Sequence, residues 1–367
     1  MPLPDKLSLH VGGVSHSDWQ GFEVDADLLV AAGAWEVSLG MPAGKLPHEV
    51  HEGARAELRC GKDVMMTGVI DEIGHRVNRK QHTLYLTGRD NAAILLDCSA
   101  PIFTAQEMSL QEVISKVIRP LGAFNIRIQS QQSTAPKKVS VEPGDNAWDT
   151  LKKAAEGCGL WPWVQADGTL VIGGPDYSAK PVGQLVLRRD GTEGNLLDLD
   201  VTRSMNNRYS ETTVLGQSHG DRDHKGKRDR RCTVRDISMT TYRPRIVVVS
   251  DVDSDAETQF RARKLQADAR LSGLTITAEV KGFYAPSGVL WAPGQRVNIR
   301  SDVHGIDDVY YLMHRRFRGG RGMPLSTVLT LHEDGVWLPD AYPHSKHKQK
   351  RKGKAGLWTA WEQIDNG

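Results

Sequence analysis

The densest group of potential metal ligands in the 367-residue chain is His219-Gly220-Asp221-Arg222-Asp223-His224, just after a strand-like stretch at 212–215. This spacing approaches an HxHxDH run, in which a loop after a strand gathers ligands for a water-activating metal. The third position is aspartate where that arrangement needs histidine, and the alternating strands and helices with further spaced histidines of such hydrolases are absent. Arg222, Lys225, Lys227, Arg228, Arg230 and Arg231 crowd the same loop and would oppose a divalent cation. A solvated loop is the expectation, and a metal-dependent hydrolase using His219 and His224 is the competing function.

Other chemical signals are weaker. His48-Glu49-Val50-His51-Glu52 places its histidines three apart after Pro47, whereas a helical zinc site needs them four apart on one face. A surface turn is expected there. No Gly-rich loop leads into Lys-Ser/Thr, and no Gly-x-Ser-x-Gly elbow is present, so nucleotide binding and acyl transfer lack support. Cys60, Cys98, Cys158 and Cys232 form no CxxC pair and are expected to be reduced, buried thiols. Trp148, Trp161 and Trp163 could stack on sugars or bases, but their place beside an amphipathic helix and a hairpin favours core packing. No catalytic, cofactor-binding or metal-ligating residue is therefore assigned, and no cofactor is expected.

The elements that would position any site are mostly strands. Hydrophobic residues at 39% and charged ones at 25% are the composition of a water-soluble globular chain, and 367 residues exceed one ordinary core, so two or three domains are expected. A net charge of +2 argues against a dedicated nucleic-acid binder. No apolar run is long enough to span a bilayer and no signal layout opens the chain, so no membrane insertion and synthesis in cytoplasm are expected.

Alternation at 7–11, 35–39, 54–59, 69–73 and 83–87 marks half-buried strands. Near Asn91 the period changes. Ser109 and Glu112 form a capping box before Leu110, Val113, Ile114, Val117, Ile118 and Leu121 at helical spacing. A second helix starts near Asp145 and Asn146, and a hairpin turns through Ala166-Asp167-Gly168-Thr169. Strands return from Leu185. A capping box at Asp253-Ser254-Asp255-Ala256-Glu257 opens a helix over 254–272, whose narrow stripe of Ala262, Leu265 and Ala269 predicts a surface position.

The spacing also repeats. Gly53-Ala54-Arg55-Ala56-Glu57-Leu58-Arg59 parallels Gly294-Gln295-Arg296-Val297-Asn298-Ile299-Arg300. Each stretch leads to a further strand (67–77; 309–317) and a return strand (83–87; 326–331). Such a pattern opens strands in many unrelated barrels, but here it predicts two related barrels in one chain. The fold class is thus mainly β with an α+β insertion. Two small β-barrel domains are expected, the first over 1–90 and completed by 176–215, the second over 197–340 with the surface helix 254–272. An inserted α/β domain would occupy 91–175, and a flexible basic tail 341–367.

The helix 254–272, the run Lys281-Gly282-Phe283-Tyr284-Ala285-Pro286-Ser287-Gly288-Val289-Leu290-Trp291-Ala292-Pro293-Gly294, the strand 325–331 and the exit Trp337-Leu338-Pro339-Asp340 resemble the tail hub proteins of Mu-like phages. The resemblance extends to the late-control and hub family, including the hub half of type VI secretion spike proteins. It covers nearly the whole chain and is strongest after residue 250. It implies a ring-shaped homotrimer in the baseplate of a contractile tail, without enzymatic activity and located in the virion after assembly in the host cytoplasm. The tail tube or other baseplate proteins would lie above and a membrane-piercing spike below, with DNA passing through the channel unbound by specific contacts. A type VI secretion hub shares this fold and is the second alternative.

Overall fold

The computed structural model describes residues 6–40, 46–79, 82–102, 106–122, 125–129, 137–139, 141, 144–192, 194–217, 229–249 and 255–338. The loop 219–224 and the basic tail 341–367 lie outside them.

The first half contains β1 (Leu7–Val11), β2 (Val14–His16), β3 (Gly21–Asp27), β4 (Ala34–Gly40), β5 (Arg55–Cys60), β6 (Asp63–Val77) and β7 (His82–Asp90). Buried and half-buried positions alternate along β1 and β7, so each strand gives one face to a core, as its sequence predicts. The insertion follows. It holds α1 (Ala93–Asp97), β8 (Gln106–Met108), α2 (Leu110–Val113) continued by a π turn to Ile118, β9 (Ile126–Ile128), β10 (Lys137–Val139), α3 (Ala147–Gly157), β11 (Trp161–Val164) and β12 (Leu170–Gly173). The Ser109 hydroxyl accepts from the Glu112 amide while the Glu112 carboxylate accepts from the Ser109 amide, which makes the capping box complete. Asn146 caps α3. Leu110, Val113, Ile114, Val117 and Ile118 are buried in the core of the insertion against Trp148 and Leu151.

The second half comprises β13 (Gln184–Leu187), β14 (Leu196–Arg203), β15 (Glu211–Gln217), β16 (Asp229–Arg235), β17 (Pro244–Val249), α4 (Asp255–Leu271), β18 (Leu274–Lys281), β19 (Arg296–Ser301), β20 (Ile306–Gly320) and β21 (Met323–Glu333). β15, β16 and β17 form a separate three-stranded sheet with α4 packed on it. The remaining strands join those of the first half in one 13-stranded sheet, whose main path runs β14-β18-β21-β20-β3-β4-β7-β6-β5-β1-β2.

Two expectations need correction. The two small barrels do not stand as closed barrels: among the described residues the hydrogen-bonded path runs open from β14 to β2. The cause is the length of β20. Its first part pairs with β19, and residues 314–319 pair with β3, so the ladder passes from one half into the other before either closes. A single core accordingly holds Leu58, Leu86 and Trp35 together with Ile299, Leu329 and Phe317. Residues 176–215, expected to complete the first barrel, instead place β13 against β19 and β14 against β18, in the second half.

The repeat read in the sequence has a counterpart in backbone geometry. Gly53, at φ +80°, donates its amide to the Ile70 carbonyl at 2.8 Å, and Gly294, at φ +92°, donates to the Leu312 carbonyl at 2.7 Å. The Ile70 amide returns a bond to Ala54, and the Leu312 amide returns one to Gln295. The long strand then bulges in both halves, between Ile70 and Glu72 and between Leu312 and His314.

Candidate functional site

The continuous run β14-β18-β21-β20-β3-β4-β7-β6 has two unlike faces. One buries Phe22, Val24, Trp35, Leu86, Ala278, Phe317 and Leu329 in the core. Registered neighbours on the other face are polar: Asp200 opposite Thr277, Thr330 opposite His314, Arg316 opposite Asp25, Glu23 opposite Glu36, and Glu36 opposite Thr87. This charged face, spanning both halves of the chain, is the candidate working surface.

At its centre a basic strand crosses an acidic one. His314 Nε2 lies 2.7 Å from Asp25 Oδ1, and Arg316 Nε donates to Asp25 Oδ2 at 2.9 Å and reaches Glu23 at 3.2 Å. Arg318 pairs with Glu279 at 2.7 Å. Half-burial works to raise the Asp25 carboxyl, but the hydrogen bonds and charges of His314 and Arg316 outweigh it and hold the group below its ordinary range. The hydrogen bond from Arg318 lowers Glu279 likewise. Farther along, Arg89 is clasped between Asp71 and Asp97 at 2.7 Å each, and Tyr85 donates to Glu72 at 3.0 Å. His314, Arg316, Arg318 and Arg89 on this face are therefore matched by carboxylates.

Beneath the face, Arg315 is 3% exposed. Its guanidinium donates to the carbonyls of Val24 (3.0 Å) and Met65 (2.8 Å) and lies 3.9 Å from the centre of the Phe317 ring. It thus ties β20 to β3 and β6. Arg315 also lines a cleft of about 340 Å³ between the sheet and the insertion, with Asp90, Trp163 and Asp167. Burial pushes the Asp90 carboxyl up to about 7, although it accepts amide hydrogens from Gly33 and Ala92. Both carboxylate oxygens are thereby engaged, and among the described residues no nucleophile adjoins it in a hydrogen-bonded relay.

The residues singled out in the sequence fall elsewhere. His219 and His224 lie outside the described residues, among which no cluster of three or more His, Cys, Asp or Glu could hold a metal. His48 and His51 sit in a turn, as expected. Cys60 and Cys232 are buried, while Cys98 and Cys158 are half-buried. Trp148 and Trp161 are core residues, and Trp161 donates to the Leu28 carbonyl at 2.6 Å, docking the insertion on the sheet. No described helix is long and apolar enough to cross a membrane. The β20–β3 junction was missed, although alternating His314, Arg316 and Arg318 and alternating Glu23, Asp25 and Asp27 were signals for it.

Four family models match the chain in succession. They are the Mu phage baseplate assembly protein GpP-like N-terminal domain (6–90), the baseplate hub protein gp44-like second domain (92–174), the tail protein NMB1110-like third domain (208–266) and the tail protein C-terminal domain (268–336). Baseplate hub protein gp44 of Escherichia phage Mu is 25% identical over 324 residues, covering 85% of this chain and 83% of gp44. The tail protein of Neisseria meningitidis MC58 is 38% identical and superimposes with a TM-score of 0.80 over 92% of this chain and 99% of its own. The 43 kDa tail protein of prophage MuSo2 from Shewanella oneidensis shares the fold at 20% identity, with a TM-score of 0.78 over 90% and 99% of the two chains.

Proposed function

This chain belongs to the family of Mu-like phage tail and baseplate hub proteins, and on that premise we propose that it is a homotrimeric, pseudo-sixfold adaptor in the baseplate of a contractile tail. It joins the sixfold tail tube above to a threefold spike below and gives DNA a path between them. The role is structural, without catalysis or cofactor, and is carried out in the virion after assembly in the host cytoplasm.

The internal repeat carries the reading. The turn glycines Gly53 and Gly294, their reciprocal amide bonds and the bulges that follow make the two halves similar modules. Three chains with two similar modules each offer six similar surfaces around a threefold axis, which suits a junction between sixfold and threefold parts. The polar sheet face fits a channel wall. Its Arg89, Arg316 and Arg318 are already satisfied by Asp25, Glu23, Glu279, Asp71 and Asp97, and these three have little charge left to hold passing phosphates.

Light scattering on the purified full chain tests this. The expected mass is three times the 40.6 kDa of one chain, with ring-shaped particles in electron micrographs. A monomer throughout the micromolar range would rule the reading out.

A further inference from the structure

We infer that the free edge of β6 at residues 72–77 in one copy pairs antiparallel with the edge of β14 at 199–204 in the next, setting Arg76 against Asp200. This rests on the trimeric reading above and names the surface that closes the ring.

The inference comes from carrying the internal junction over to the repeat. β20 pairs β19 with its first part and β3 with residues 314–319. β6 pairs β5 with residues 63–69, and residues 72–77 have no strand on that side among the described residues. The two strands correspond residue by residue after their bulges: Glu72 stands opposite Thr87 as His314 stands opposite Thr330. Following the ladders outward, Thr87 leads through Glu36 to Glu23 on β3. Thr330 leads through Thr277 to Asp200 on β14. β14 therefore occupies in the second half the place of β3 in the first, and among the described residues its outer edge, unlike that of β3, has no hydrogen-bonded strand.

Inside the chain, Arg318 is registered with Glu23, Phe317 with Val24 and Gly319 with Phe22. Counting from the bulge, Arg76 is the counterpart of Arg318, His75 of Phe317 and Val77 of Gly319. The same register between copies gives Arg76 opposite Asp200, His75 opposite Val201 and Val77 opposite Leu199. The charges complement each other in the sense of the internal junction, with the basic residue on the long strand. Val77, 61% exposed, would be covered by Leu199, beside Leu197, itself 58% exposed. Two exposed strand edges, a hazard for uncontrolled association, would be used up. Because the two edges differ, the contact is head-to-tail and needs a closed ring to leave no edge free.

Charge reversal and cross-linking in the full chain test the register. Arg76 and Asp200 are both exposed, so Arg76→Asp and Asp200→Arg leave the isolated fold intact, as circular dichroism and the melting temperature would check. Each single reversal is expected to raise the dissociation constant of the trimer by about tenfold or more, and the double swap to restore it. His75→Cys with Val201→Cys should give disulfide-linked trimers under mild oxidation, and neither single cysteine variant should. If the parent protein is a trimer while the reversals leave it unchanged or the cysteine pair fails to link, this interface is wrong and the trimeric reading stands. Linked dimers alone would also overturn it, and a monomeric parent would end both.

Discussion

The amides of Gly53 and Gly294 make the same bond, to the carbonyls of Ile70 and Leu312, at the start of two strand sets that share little sequence. Both glycines hold positive φ, and a Cβ would meet nothing within 4 Å at Gly53 and only the Tyr311 hydroxyl at 3.6 Å at Gly294. Replacement therefore meets backbone strain and no clash. Gly53→Ala and Gly294→Ala should each lose about 1–2 kcal/mol in denaturant unfolding, with Asn tolerated better than Ala at both sites. Very unequal losses would contradict the equivalence of the two turns.

Arg315 is the buried fastener between β20, β3 and β6. Arg315→Ala removes two charge-assisted hydrogen bonds and a ring contact, and is expected to cost about 3 kcal/mol or more in the same measurement. Arg315→Lys should recover little, since one ammonium cannot reach both carbonyls and stack on Phe317.

Asp90 gives stability a pH dependence. Its folded-state carboxyl titrates near 7 against an ordinary 3.8, so the folded state binds its proton more tightly than the unfolded chain. The stability from this group is full below about pH 4 and is lost as pH rises to about 7. Asp90→Asn should flatten that slope in melting curves taken between pH 4 and 7. At pH 4, where the wild-type carboxyl is neutral, it should also cost about 1–3 kcal/mol, because an amide accepts from only one of the Gly33 and Ala92 amides, and this deficit should shrink as pH rises.

Trp161 holds the insertion to the sheet through Leu28, and its ring packs edge-on to Trp337. Trp161→Phe keeps much of the apolar contact but leaves the Leu28 carbonyl without this donor. An expected cost of about 1–2 kcal/mol should appear as faster amide exchange in 161–164 and 28–33 with the central strands unchanged.

Local structure was readable where one residue type has one use. The Ser109–Glu112 box, the Asn146 cap and the alternation in β1 and β7 all lie where the sequence puts them. Pairing partners were not readable, because alternation tells which side of a strand is buried and nothing about its neighbour. That is why the reading puts β13 in the wrong half and β14 in both. The helix α4 has the exposed side its narrow apolar stripe suggests, with Arg261, Arg263 and Asp268 open to solvent, but the polar part of its buried side was not readable: Gln266 is buried on Thr212 and the Tyr209 carbonyl, and Arg270 on Glu333. Polar side chains that satisfy one another across 50 or more residues leave no local periodic trace. The candidate surface was hidden likewise, since Asp25 and Arg316 meet only once the chain returns 291 residues later.

A strand that serves both halves also governs how the molecule carries load. β20 runs unbroken from its partners in the second half to the ladder with β3, so no hinge separates the modules. Torque applied to one module reaches the other as shear along parallel rows of backbone hydrogen bonds, which must yield together. In the proposed ring each chain should thus turn as a stiff lever, and any change of bore would have to occur by slippage between neighbouring chains.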